Sequence, residues 1–183
     1  MIKFAIYSRL TITEKPEWLD TFMSKYIKPF EIHVTLKQPC YIDKSQEPEV
    51  LNILKGILES EINKKVIPLS FGAYKLDFHP TTESDQSTIM VLAEEDQHLM
   101  SLQQEIIEKL SDYNNYCKPE NEKFEINFEP HITIGDELHY EEYQQAISEL
   151  PEKVTIKGTM DEIVLILVDT ESGEEIKNSF TLG

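Results

Sequence analysis

The chain has 183 residues, 40% hydrophobic and 28% charged, enough to bury one sizeable core and unlike a disordered or low-complexity segment. A formal net charge of −17 and a lone arginine, Arg9, argue against long duplex nucleic acid, whose binding rests on Lys and Arg neutralising phosphates. Two cysteines, Cys40 and Cys117, are too few for a disulfide framework and lack the paired spacing of a zinc site, and no apolar run approaches the roughly 18 residues of a membrane span.

Ile2, Phe4 and Ile6 alternate with Lys3, Ala5 and Tyr7, the period-two pattern of a strand with one face in a core. Thr13 to Tyr26 places Trp18, Leu19, Phe22, Met23 and Tyr26 at helical intervals behind Pro16, which predicts a short helix. Ile32, Val34 and Leu36 alternate with His33, Thr35 and Lys37, a second strand. From Glu49 to Lys65 the apolar residues fall at three-and-four spacing and predict the clearest helix.

Val66 to Phe78 and Ser87 to Ala93 read as two strands of a hairpin, joined through the polar stretch from His79 to Gln86. Leu99, Leu102, Ile106 and Leu110 keep helical spacing. Phe128 to Ile134 is extended, entered through Pro130, and Glu141 to Leu150 predicts a helix closed by Pro151. Val154 to Lys157, Asp161 to Asp169 and Glu175 to Leu182 read as three closing strands. Both halves run from an extended His-x-Thr segment to a helix and then strands, a hint of duplication. The class is α+β, with mixed or antiparallel sheets backed by helices. No linker marks a boundary, so residues 1–183 are read as one domain, a cytoplasmic monomer needing no metal or cofactor.

The chemistry concentrates in His33-Val34-Thr35-Leu36 and His131-Ile132-Thr133-Ile134. Residues two apart in a strand share a face, so each motif turns a His and a Thr to one side and two apolar anchors to the other. Two such matches by chance are on the order of one in a thousand. With a pKa of about 6.5, one histidine can be neutral while another is protonated near neutral pH. Cleaving a phosphodiester uses both forms, a base for the attacking water and an acid for the departing oxygen. The threonine hydroxyls supply donors for the phosphate oxygens.

The paired tetrapeptides, about a hundred residues apart, resemble the 2H phosphoesterase superfamily, which includes the 2′-5′ RNA ligase-like proteins and cyclic nucleotide phosphodiesterases. The Ile2–Tyr7 strand, Pro130 before the second motif and the strand Glu162 to Val168 extend the likeness. The resemblance implies a two-lobed fold with pseudo-twofold symmetry, sheets lining a central cleft and helices outside. It also implies action on 2′,3′-cyclic phosphates or 2′-5′ linkages, with His33 and His131 as acid and base and Thr35 and Thr133 holding phosphate. Glu31 and Glu129 beside the motifs, and the acidity of the whole chain, favour a nucleotide or short oligonucleotide over an RNA polymer. Lys37 shares the His33 face if the strand stays regular and is a candidate phosphate contact. Two alternatives are degradation of cyclic di- or trinucleotide signals by the same residues, and a non-catalytic nucleotide-binding module.

Tyr7, Tyr41 and Tyr74 could stack on a base, although strand aromatics usually pack in a core. His79, His98 and His139 lack matching partners and take no role. Cys40 has no orienting His and reads as structural.

Overall fold

The computed structural model describes residues 1–28, 31–78 and 87–183; the expected loop from His79 to Gln86 lies outside them. In chain order the elements are β1 (Ile2–Glu14), α1 (Trp18–Tyr26), β2 (His33–Ile42), α2 (Glu47–Leu58), β3 (Ile67–Asp77), β4 (Ser87–Ala93), α3 (Gln97–Lys109), α4 (Asn121–Ile126), β5 (His131–Leu138), α5 (Tyr140–Glu149), β6 (Ile156–Asp169) and β7 (Glu175–Thr181). Among the described residues no helix is long and apolar enough to cross a membrane.

The strands form one sheet in the order β2-β1-β6-β3-β4-β5, with β7 also paired to β6. Every ladder between them is antiparallel. The 14-residue β6 is the spine: β1 pairs along its whole length, β3 pairs with its first part and β7 with its second. This division gives two lobes, one holding β2, β1 and β7 and the other holding β3, β4 and β5. The sheet curls until its terminal strands, β2 and β5, come within 8 Å Cα to Cα without a ladder between them.

One face of the sheet carries the core. Phe4, Ile6, Val34, Leu36, Ile89, Val91, Ile132, Ile134, Ile163 and Leu165 are all buried there. The helices pack crosswise: α1 follows β1 yet lies against β5, while α3 and α4, from the second half, lie against β2. Each motif strand is therefore backed by a helix from the other half of the chain.

Three boundaries and one helix stand out among the differences from the sequence reading. β1 runs on to Glu14, so the first helix begins at Trp18 rather than Thr13, because β6 offers partners as far as Lys157. α2 stops at Leu58: the Asn63 side-chain amide donates to the Ile57 carbonyl at 3.0 Å and caps the end, and Ile62 is exposed. The segments around Gly158 form one strand instead of two. A Cβ at Gly158 would lie 2.9 Å from the Thr11 carbonyl oxygen, so this glycine permits close β1–β6 approach rather than breaking the strand. α4 was not legible, since its buried residues are Asn121 and Glu125 rather than an apolar stripe.

Candidate active site

His33 opens β2 and His131 opens β5. Val34, Leu36, Ile132 and Ile134 are at most 1% exposed, and burying each such side chain stabilises by roughly 1.5–3 kcal/mol. That anchoring leaves His33, Thr35, His131 and Thr133, all half-buried, on the opposite face of the sheet. The two motifs also share a ladder irregularity. Tyr7 faces Thr35 while Ile6 faces Lys37, which makes Leu36 an extra residue. Met90 faces Thr133 while Ile89 faces Gly135, which makes Ile134 the extra residue of the second motif. A β-bulge in the fourth position of each tetrapeptide is a point of correspondence between the lobes.

The bulge corrects the expectation for Lys37. The added residue turns Lys37 to the core face, where it is fully buried. Its Nζ donates to Asn114 Oδ1 at 2.7 Å and lies 3.2 Å from Glu125 Oε2, and it sits over the Tyr116 ring at 5.3 Å. Glu125 also accepts from the Gln38 backbone N–H and the Tyr116 hydroxyl, each at 2.7 Å. Lys37 thus secures β2 to α4 from behind and has no access to a phosphate on the other face. Gly135, its counterpart in the second motif, is also buried, and a Cβ there would lie 3.1 Å from Leu138 Cδ1.

Both motif histidines are held alike. His33 Nδ1 lies 2.9 Å from the Glu31 carbonyl oxygen, and His131 Nδ1 lies 2.7 Å from that of Glu129. A carbonyl oxygen can only accept, so Nδ1 carries the hydrogen in each ring and Nε2 is the atom that gains or loses a proton. Burial, the largest cause, holds both histidines below their ordinary pKa. The backbone hydrogen bond to Glu31 or Glu129 and the charge of that same glutamate pull each ring back upward, while the charges of Lys75 and His33 push His131 further down. The charge of His33 is among the causes that lower His131, which puts the two rings within electrostatic reach of each other.

The flanking residues form ion pairs. Arg9 binds both Glu31 and Glu162, and Lys75 binds Glu129. Lys177 lies 3.4 Å from Glu31 and 3.2 Å from Glu175. The Tyr7 ring stands edge-on to His33 with centroids 5.1 Å apart, and at 4% exposure it offers no face for base stacking. Tyr74 packs against the core, and Tyr41 lies near the far end of β2. Cys40 is buried and its thiol is pushed up to about 12, chiefly by burial, which suits structure rather than nucleophilic attack. His98 and His139 lie at the starts of α3 and α5, and His79 lies outside the described residues. Lys75 carried no signal in the sequence; its relation to His131 depends on β3 lying two strands from β5, which only the pairing shows.

Residues 20–171, which span both motifs, match the family model described as the 2′-5′ RNA ligase superfamily. A Halalkalibacterium halodurans protein provisionally named a phosphoesterase is 26% identical over 153 residues, 82% of this chain and 79% of its own length. Among solved structures, TT0787 of Thermus thermophilus superposes with a TM-score of 0.58 at 13% identity, covering 98% of this chain and 97% of that one. Escherichia coli LigT complexed with 3′-AMP gives a TM-score of 0.55 at 11% identity with the same coverage. At these identities the structural likeness is one of fold.

Proposed function

The chain belongs to the 2′-5′ RNA ligase superfamily of 2H phosphoesterases, and from that premise we propose that it hydrolyses cyclic (2′,3′-cyclic) or 2′-5′ phosphodiester bonds without a metal, by paired histidine acid–base catalysis. The observation that carries this reading is the matched pair of histidines, each with Nδ1 engaged by the carbonyl two residues earlier and each with a threonine on the same strand face. One histidine, neutral at Nε2, accepts a proton from the attacking water. The other, protonated at Nε2, delivers one to the departing ribose oxygen. Thr35 and Thr133 donate to the non-bridging oxygens, where negative charge builds in the transition state.

A nucleotide or short oligonucleotide is the proposed substrate. The solved complexes of LigT with 3′-AMP and with NADP+ support a nucleotide-sized ligand for this fold. The net charge of −17 disfavours a long polyanion. The test is turnover of 2′,3′-cyclic nucleotides and 2′-5′-linked dinucleotides in the presence of EDTA. We expect wild-type turnover to persist and the His33→Ala and His131→Ala proteins each to lose at least about a thousandfold in kcat. Full activity in either variant would remove the assignment.

A further inference from the structure

Lys37 is turned to the core face, so a basic side chain that joins the motif histidines and threonines in holding a phosphate would have to come from another strand. Opposed residues of an antiparallel ladder share a face, which lets the motif face be followed strand by strand. From β5, Thr133 faces Met90 on β4, and Met90 faces Lys75 on β3. From β2, His33 faces Arg9 on β1, and Arg9 faces Glu162 on β6. Lys177 of β7 reaches the same side, opposite Ile166 and then Ala5.

These three cations differ in how they are neutralised. Arg9 is bound by two carboxylates, Glu31 and Glu162, and Lys177 by two, Glu31 and Glu175. Among the described residues Lys75 has one carboxylate partner, Glu129. The two side chains of that pair are 40% and 52% exposed, and an exposed ion pair is worth little, so an incoming phosphate can replace the carboxylate at small cost. Glu129 also sits two residues before His131, and its carbonyl holds the His131 ring. The Lys75 charge already acts on His131.

We propose that Lys75 is a substrate-binding residue of this site, its ammonium held by the Glu129 carboxylate in the unliganded protein and passed to the substrate phosphate when that binds. The inference rests on the phosphodiesterase reading, which places the phosphate between Thr35 and Thr133. Glu129 then sets a threshold for anions: a phosphate must outcompete the carboxylate, which disfavours weakly charged ligands.

The experiment compares wild-type, Lys75→Met, Lys75→Arg and Glu129→Gln proteins by calorimetric titration with inorganic phosphate at two salt concentrations, and by kcat/KM on 2′,3′-cyclic AMP across pH. Lys75→Met is expected to bind phosphate about tenfold more weakly with a shallower salt dependence. Its kcat/KM should fall similarly, and the pH limb set by His131 should move to higher pH, since a cation that depresses that ring is gone. Lys75→Arg should recover most of the binding, and Glu129→Gln should bind phosphate about threefold more tightly. Equal phosphate binding by wild-type and Lys75→Met, or no phosphate binding by wild-type, overturns the proposal. So does Glu129→Gln weakening binding as much as Lys75→Met, because the pair would then be structural. Retained turnover in His33→Ala would instead sink the hydrolytic reading, while the phosphate titrations would still decide the role of Lys75.

Discussion

At the scale of single residues, the two histidines obtain matching tautomers from backbone carbonyls, a device that needs no carboxylate behind the ring. Burial lowers the pKa of each, which has a direct consequence for the proposed reaction. The active form has one ring neutral and one protonated, so kcat/KM in the free enzyme peaks between the two apparent pKa values of the pair. Both lie below the ordinary value of about 6.5. Activity should therefore fall on the alkaline side as the second ring loses its proton, and on the acid side as the first gains one. We expect a bell-shaped profile of kcat/KM with its maximum below about pH 6.5. An optimum above pH 7 would show that the histidines are not the titrating pair.

At the scale of elements, the bulge at Leu36 decides what β2 presents to each side. Thr35 stays on the motif face, and Lys37 turns into a buried network with Asn114, Glu125 and Tyr116. Removing one partner of a buried ion pair leaves the other charge uncompensated. Lys37→Ala is thus expected to destabilise the protein by roughly 3–5 kcal/mol in denaturant unfolding. Under conditions where the variant remains folded, its KM for the phosphodiester should stay near wild type. A rise in KM of tenfold or more with stability unchanged would return Lys37 to the motif face. The strands and most helices were legible because their apolar residues follow periods of two or 3.6. The short α4 was not, since it buries Asn121 and Glu125, and the tetrapeptides carried no sign of the bulges because an added residue leaves the local pattern intact.

At the scale of the whole molecule, the two motif strands come together because a single sheet curls its end strands toward each other and helices cross over to brace them. α1, from the first half of the chain, supports the strand that carries His131. Leu19 of that helix is fully buried. Leu19→Ala should cost about 2–5 kcal/mol through lost burial and the cavity left behind. Measured below its unfolding transition, the variant should also lose kcat more than KM, since loosening α1 lets β5 drift from β2 and acid–base geometry tolerates little displacement. Unchanged kcat in a clearly destabilised Leu19→Ala protein would show that α1 stabilises the fold without setting the histidine spacing.

By itself the sequence determined the α+β class, the two motif strands and the shared face of His33 with Thr35 and of His131 with Thr133, because side-chain alternation along a strand is a local property. Tertiary structure decided that the two motif strands approach each other, that Lys37 is buried and that Lys75 pairs with Glu129, two residues before His131. Those outcomes depend on strand order and pairing register, and register is set jointly by partner strands far apart in the chain.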